Sequence, residues 1–143
     1  MLEDVLAACR EVGETIVADA GGGQGAAVQE ALASVDGAVA IVNADLPCVT
    51  AEDVRALLAA LPERGLAVAP ATDGTTNALA LTDPALFAPL YGAGSAEEFR
   101  SHASQLGVAS AVVFRPNLAD DVDTAEDLAR LGERLGPNTR AAL

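Results

Sequence analysis

Ala38-Val39-Ala40-Ile41-Val42-Asn43-Ala44-Asp45-Leu46-Pro47 is the stretch that decides the fold, because an apolar run stops there at a single acid. The run has the length and β-branched character of a strand buried on both faces, which is typical of the sheets of α/β proteins. Ligands of such sheets gather beyond the carboxyl ends of the strands, where Asp45 would emerge. An acid at that position is costly unless it is paired or binds a cation, and Mg²⁺ prefers oxygen ligands. The stretch therefore predicts a metal-binding carboxylate.

Composition narrows the class of protein. A chain of 143 residues that is 51% hydrophobic predicts one globular domain, residues 1–143, with enough apolar content for a core. Its apolar runs are shorter than the roughly 18 residues of a membrane span, and the start lacks the basic residues of a secretory signal. We therefore expect a cytoplasmic protein without a membrane partner. The net charge of −13 argues against nucleic acid as a partner, since such binding needs clustered cations.

Apolar periodicity alternates between helical and strand-like segments along the chain. Strands are predicted at 14–18, 39–43, 66–70, 76–81 and 110–114, and helices at 3–12, 26–35, 51–61, 96–106 and 125–135, with a short helix from Pro84. Such alternation predicts a single-domain α/β fold in which a mostly parallel sheet is flanked by helices.

Two acidic turns precede the same tetrapeptide, Thr-Ala-Glu-Asp. The first is Asp45, before Thr50, and the second is the run 120–123, Asp-Asp-Val-Asp, before Thr124. Asp and Thr are favoured at helix starts, so by itself the second turn is more typical of a helix cap than of a metal site. Asp45 is five residues from Thr50, which is too far to cap the following helix. Asp45 is therefore the stronger candidate ligand.

Four motifs follow one another along the chain. They are Asn43-Ala44-Asp45-Leu46-Pro47, Asp73-Gly74-Thr75-Thr76-Asn77-Ala78-Leu79, Tyr91-Gly92-Ala93-Gly94-Ser95 and Asp121-Val122-Asp123-Thr124. Together and in this order they resemble one family, the guanylyltransferases of deazaflavin coenzyme (F-420) biosynthesis. These enzymes use phosphoenolpyruvate or 2-phospho-L-lactate and are related to the molybdenum-cofactor nucleotidyltransferases. The resemblance implies a Rossmann-like fold of the nucleotide-diphospho-sugar transferase type.

The resemblance also implies an activity, the transfer of GMP from GTP to the phosphate of a small phosphorylated carboxylic acid, with release of pyrophosphate. It implies Mg²⁺ as the cofactor, held by the catalytic carboxylates Asp45 and Asp123, with Asp121 as a further ligand. Both acceptors carry one phosphate and one carboxylate on three carbons, so the sequence leaves both open.

Further binding residues follow from the same motifs. The resemblance places the acceptor at Thr76, Gly92 and Ser95 and the nucleoside at Gly22, Gly23 and Gly25. Ordinary structural explanations stay open for some of them. A glycine run before a helix is equally a flexible turn, and a threonine on a strand is equally a β-former.

The chain departs from the family pattern at its beginning. Members of the family open with a strand and a basic glycine-containing loop that grips the triphosphate, and neither has a counterpart here. We therefore expect an incomplete member, truncated at the N-terminus, with weak or no GTP turnover by these residues alone.

Other functions stay open from sequence. One is a molybdenum-cofactor or sugar-phosphate nucleotidyltransferase, and another is a non-catalytic nucleotidyltransferase-like binding module. An alanine-rich helix and an exposed sheet edge are compatible with a homodimer.

Overall fold

The computed structural model describes residues 1–143 and contains one four-stranded sheet with seven α-helices around it. The strands are β1 (Val39–Val42), β2 (Gly65–Pro70), β3 (Thr76–Leu81) and β4 (Ala109–Val112). The helices are α1 (Leu2–Arg10), α2 (Gln24–Leu32), α3 (Ala51–Ala59), α4 (Ser95–Gln105), α5 (Pro116–Ala119), α6 (Ala125–Leu131) and α7 (Pro137–Ala141). Short 3₁₀ segments occupy Pro84–Leu86 and Gly132–Arg134. The predicted α/β class is confirmed.

The sheet is mixed, with strand order β1-β3-β2-β4. Strands β1, β2 and β4 run in the same direction, as the sequence predicted, whereas β3 lies antiparallel between β1 and β2. The reversal follows from the short turn Ala71–Thr75, because only antiparallel neighbours can be joined so closely. Asp73 accepts a hydrogen bond from the Thr75 N–H at 3.0 Å and stabilises this turn.

The direction of β3 determines which residues share an edge of the sheet. The carboxyl ends of β1, β2 and β4 lie at one edge, and the reversed β3 begins there. Asp45, Thr76 and the loop after β4 are therefore brought to the same edge, although they are far apart in sequence.

Side-chain alternation along the central strands builds two cores. On one face, Ala67 and Ala69 of β2 belong to a cluster with residues of α1 and α3. On the other face, Leu66 and Val68 belong to a cluster with residues of α2 and α4, including the fully buried Phe99. The result is a three-layer sandwich in which helices cover both faces of the sheet.

The predicted strand at 14–18 is wrong. These residues form neither helix nor strand, and Ile16 and Val17 are about half exposed. A short apolar segment becomes a strand only when another backbone pairs with it, and none does so here.

Helix boundaries near the carboxyl end also differ from the prediction. The helix predicted at 125–135 ends at Leu131, because Gly132 adopts a positive φ of 50°. Helices α5 and α7 were not predicted, although each has a proline in its first turn, Pro116 and Pro137. Proline at the start of a helix is a usable sequence signal.

Helix α3 is anchored by its N-terminal capping box. Thr50 and Asp53 exchange side-chain and backbone hydrogen bonds, as the sequence indicated. Asp53 is 1% exposed and also accepts hydrogen bonds from Arg115 Nε at 2.5 Å and Asn117 Nδ2 at 2.9 Å. Burial alone would raise the pKa of Asp53, but the hydrogen bonds from Arg115, Asn117 and Thr50 outweigh it and hold the pKa below its ordinary value.

Helices α1 and α7 are joined by a second buried acid, Asp4. Its carboxylate accepts hydrogen bonds from the backbone N–H groups of Asn138 and Thr139, at 3.0 and 2.7 Å, and from the Thr139 hydroxyl. Asp4 thus satisfies the free N–H groups at the start of α7.

None of the helices has the length and hydrophobicity needed to span a lipid bilayer.

The buried position of Asp53 leads to a stability prediction. We expect Asp53→Asn to lower the free energy of unfolding by about 2 kcal/mol at neutral pH, because a charge-assisted hydrogen bond is lost. The folded-state pKa lies below the ordinary 3.8, so the contribution is present above pH 3.8 and disappears as the pH falls through the lowered pKa. Urea unfolding at several pH values measures this difference.

The control for this comparison is Asp36→Asn, which makes the same chemical change at an exposed residue without a side-chain hydrogen bond. A stability difference between wild type and Asp53→Asn that stayed constant from pH 7 to pH 3 would contradict the account.

Candidate functional site

Three carboxylates converge at the edge of the sheet where β1 ends. Asp45 lies in the turn after β1, and Asp121 and Asp123 lie in the loop between α5 and α6. One oxygen atom from each lies within 4.8 Å of the others. Asp45 and Asp121 are half-buried and Asp123 is exposed, so the cluster opens toward solvent. The structure therefore brings together the three ligands expected from sequence.

A backbone hydrogen bond brings the second acidic loop to the first. The Val122 N–H donates to the Asp45 carbonyl oxygen at 3.1 Å, and the Val122 side chain is buried beside Cys48 and Leu131. Capping does not explain the acids of this loop, because the cap of α6 consists of Thr124 and Asp127. The side chains of Asp121 and Asp123 take no part in that cap.

The environment of Asp45 suits a cation. Its Oδ1 atom is buried and has no hydrogen-bond partner. Burial raises the pKa of Asp45 above its ordinary value, and repulsion from Asp121 and Asp123 adds to the rise. A divalent cation would satisfy the lone oxygen and neutralise the repulsion, and carboxylate oxygens are the donors that Mg²⁺ prefers. The residues present therefore fit a magnesium ion.

A pair of buried hydroxyl groups forms a second part of the site. Thr76 Oγ1 at the start of β3 and Ser95 Oγ at the start of α4 lie 2.8 Å apart and share a hydrogen bond. The Ser95 N–H donates to the Gly92 carbonyl oxygen at 3.1 Å, which folds residues 92–94 onto the helix start. The three residues assigned to the acceptor thus meet at the N-terminus of α4, where a helix favours anions.

Two asparagines connect these parts and were not assigned a role from sequence. Asn77 is buried beside Thr76 on β3 and donates from Nδ2 to Asp121 Oδ1 at 3.4 Å. Asn43 donates from Nδ2 to the Thr76 carbonyl oxygen at 3.1 Å and accepts from Gln24 Nε2 at 2.7 Å. Both asparagines belong to the quoted motifs and adjoin residues with assigned roles. Their place in the sequence could therefore have indicated that they belong to the site.

The loop 21–25, to which the nucleoside was assigned, leads into α2 and is linked to the end of β1 by the hydrogen bond from Gln24 to Asn43. Gly22 and Gly23 have positive φ values of 97° and 92° and are exposed, whereas a Cβ on Gly25 would come 2.6 Å from Pro89 Cβ. Gly25 is thus explained by packing. A depression of about 480 Å³ lies at the start of α2 and reaches Asp45; it is lined by Met1, Leu2, Gln24, Asn43, Ala44 and Asp45. Nucleoside binding by the three glycines stays a prediction.

Residues 1–135 match the family model described as "Guanylyl transferase CofC like". The chain belongs to the CofC-like guanylyltransferase family. The resemblance read from the four motifs is confirmed, and the match extends over α1 to α6 and the sheet.

Curated members of the CofC-like family are similar to this chain over part of their length. The phosphoenolpyruvate guanylyltransferase of Sphaerobacter thermophilus is 46% identical over 92 residues, which is 64% of this chain and 44% of that protein. The 2-phospho-L-lactate guanylyltransferase of Haloarcula marismortui is 38% identical over 96 residues, which is 67% of this chain and 45% of that protein. The chain spans about half the length of the curated relatives it matches.

Solved structures support the fold of the CofC-like chain. A candidate nucleotide-diphospho-sugar transferase from Desulfovibrio desulfuricans G20 superimposes with a TM-score of 0.63 at 21% identity, over 80% of this chain and 52% of that one. The likeness confirms the predicted nucleotide-diphospho-sugar transferase type of fold.

The unpaired buried oxygen of Asp45 and its repulsion by Asp121 and Asp123 lead to a second prediction. We expect Asp45→Asn to raise the free energy of unfolding of the metal-free protein by about 1 kcal/mol, because it removes a half-buried charge repelled by two neighbours. Addition of Mg²⁺ should raise the melting temperature of the wild type and leave that of the variant unchanged. Thermal melts in chelator and then in excess Mg²⁺ measure both effects.

Glu30→Gln is a suitable control for these melts, because Glu30 is an exposed acid on α2 without a side-chain hydrogen bond. Equal Mg²⁺ stabilisation of wild type and Asp45→Asn would show that Asp45 is not a ligand.

Proposed function

We propose that this chain carries the cation and acceptor sites of a guanylyltransferase that transfers GMP from GTP to phosphoenolpyruvate or 2-phospho-L-lactate. Pyrophosphate is released, and the product belongs to deazaflavin coenzyme biosynthesis. The observation that carries the proposal is the position of Asn77. It binds Asp121 of the three-carboxylate cluster and follows Thr76, which shares a hydrogen bond with Ser95. The names of the two relatives supply the acceptors.

The proposed reaction is an attack by an acceptor phosphate oxygen on the α-phosphorus of GTP. A new P–O bond forms while the bond from the α-phosphorus to the oxygen that bridges it to the β-phosphorus breaks, and that oxygen leaves with pyrophosphate. Both substrates are anions, so catalysis depends on positioning and charge neutralisation. No covalent intermediate with the protein is needed.

The acidic cluster has a defined part in this proposal. Asp45, Asp121 and Asp123 would hold Mg²⁺, which when bound offsets the negative charge of the phosphate oxygens. Without a cation, the three carboxylates would repel a triphosphate. The preference of these side chains for a cation thus explains how a protein with a net charge of −13 could bind two anionic substrates.

The hydroxyl pair and the start of α4 serve the acceptor in this proposal. Hydroxyl donors bind an anion without adding bulk, and the positive end of the α4 dipole favours it. The hydroxyl groups of Thr76 and Ser95 satisfy each other in the free protein. Thr76 is 2% and Ser95 0% exposed, so the acceptor would reach them only after the loop before α4 opens. A carboxylate or phosphate bound there would replace the shared hydrogen bond with two charge-assisted ones.

The alternative functions are less well supported. A molybdenum-cofactor or sugar-phosphate nucleotidyltransferase and a non-catalytic binding module are not favoured, because the family model and both relatives are named as guanylyltransferases. The proposal includes Mg²⁺ as cofactor and a cytoplasmic location. The homodimer stays a prediction from sequence.

Activity of the full protein that contains these residues tests the assignment. We expect GTP-dependent pyrophosphate release with phosphoenolpyruvate or 2-phospho-L-lactate, and a fall in kcat of at least about 100-fold in Asp123→Asn, because loss of even a supporting contact behind a metal ligand costs about 10- to 100-fold. Pyrophosphate release at saturating GTP and Mg²⁺ is the measurement. Glu126→Gln, an exposed acid at the start of α6, is the matched control.

Two results would contradict this assignment. Wild-type turnover by Asp123→Asn would remove the metal role of Asp123. A wild-type protein that binds GTP but turns over neither acceptor would refute the guanylyltransferase itself.

Acceptor binding gives a separate prediction. We expect Ser95→Ala to raise the KM for the acceptor by about 10-fold and to leave the KM for GTP within about twofold, because one hydrogen bond to an anion is lost. Steady-state kinetics with each substrate varied in turn measures the two values. Ser101→Ala on the exposed face of α4 is the control, and equal rises in both KM values would place Ser95 outside the acceptor site.

A further inference from the structure

Two arginines bind Asp120, the acid immediately before residues 121–123, which we call the metal-site loop. Arg134 Nη1 donates to Asp120 Oδ2 at 2.7 Å, and Arg130 Nη1 donates to Asp120 Oδ1 at 3.1 Å. Arg130 also binds Asp127, the capping residue of α6, at 3.3 Å. We call Asp120, Arg130 and Arg134 the arginine clamp. It leaves both oxygens of Asp120 occupied.

Asp120 and its neighbour Asp121 lie beside groups of opposite charge. Asp121 lies in the carboxylate cluster with Asp45, whereas Asp120 is bound by the two arginines. Val122 is buried and Asp123 rejoins the cluster. Asp120 thus faces the arginines while Asp121 and Asp123 face Asp45, so holding Asp120 restricts the positions of the two acids that follow it.

The clamp is continuous with the anchor of the loop after β4. Arg134 Nη2 donates to Asn117 Oδ1 at 3.1 Å, and Asn117 donates in turn to Asp53 on α3. Arg115 binds the same Asp53. The residues before the metal-site loop are thus fixed to α3, and Asp120 is fixed to the segment after α6.

This anchoring opposes a specific force. Asp45, Asp121 and Asp123 carry like charges within a few ångströms, and their repulsion drives the loop away from β1 when no cation is present. The Val122 hydrogen bond to Asp45, the burial of the Val122 side chain and the Asn77 hydrogen bond to Asp121 resist that movement. The arginine clamp supplies two further attachments immediately before Asp121.

We propose that Arg134, assisted by Arg130, is a positioning residue for the cation site. By binding Asp120 it keeps the loop at β1 and presents Asp121 and Asp123 to the cation in advance. This inference rests on the proposed cation site. It concerns residues that do not contact the cation themselves.

The effect of removing Arg134 distinguishes positioning from simple electrostatics. If only long-range electrostatics matters, loss of the arginine charge strengthens cation binding, because the arginine repels the cation. Loss of a positioning contact weakens it, because the carboxylates are no longer held in place. The two explanations therefore predict changes of opposite sign.

The test is Mn²⁺ binding to the full, nucleotide-free protein, followed by electron paramagnetic resonance of the free ion. We expect Arg134→Gln to weaken Mn²⁺ binding about 10-fold, as loss of a supporting contact does at other metal sites. Arg134→Lys should recover part of the affinity, because one ion pair to Asp120 can re-form. Arg55→Gln, which removes an equal charge from an arginine that binds the Glu11 carbonyl oxygen, should bind Mn²⁺ like the wild type.

Unchanged or tighter Mn²⁺ binding by Arg134→Gln would overturn the proposal. Circular dichroism checks the fold of each variant, and Arg130→Gln replaces Arg134→Gln if the latter does not fold. If the wild type itself binds no Mn²⁺, the cation site fails and the proposal fails with it. If the wild type binds Mn²⁺ and Arg134→Gln binds it with the same affinity, the positioning role of Arg134 is refuted and the cation site stands.

Discussion

Repulsion among Asp45, Asp121 and Asp123 is the constraint on which the arrangement of this site depends. The three carboxylates are held at one edge of the sheet although no side-chain cation separates them, and one oxygen of Asp45 is buried without a partner. Such an arrangement is unfavourable for folding and persists because neighbouring interactions oppose it. The hydrogen bond from Val122 to Asp45 and the burial of Val122 hold the two acidic segments together. A site that stores this repulsion is suited to binding a divalent cation.

The reversal of β3 unites the cation site with the acceptor site. If β3 ran parallel to its neighbours, Thr76 and Asn77 would lie at the opposite edge of the sheet, far from Asp45. The tight turn at Asp73-Gly74 reverses the chain and places both residues beside the carboxyl end of β1. Asn77 then binds Asp121, and Thr76 binds Ser95 at the start of α4. One turn in the chain thus determines how two binding functions meet.

Local signals predicted most of the fold and part of the site. The apolar run before Asp45, the Thr50 cap and the four motifs contain their information within a few residues, and the corresponding elements form. The prediction that the run is buried on both faces is wrong, because β1 is an edge strand of the sheet and its four residues are only half-buried. The strand predicted at 14–18 failed because strand formation depends on a partner distant in sequence. The direction of β3 was not predicted, although Asp73-Gly74 is a common turn dipeptide. The arginine clamp joins residues 10 and 14 positions apart across a loop, which no periodicity indicates.

The central claim is that Asp45, Asp121 and Asp123 together bind a divalent cation. Anomalous scattering from crystals of the protein soaked in Mn²⁺ tests this claim most directly, because it locates the ion independently of activity. The account predicts one strong peak in contact with an oxygen of each of the three carboxylates. A peak elsewhere in the protein, with these three carboxylates unliganded at saturating Mn²⁺, would contradict it.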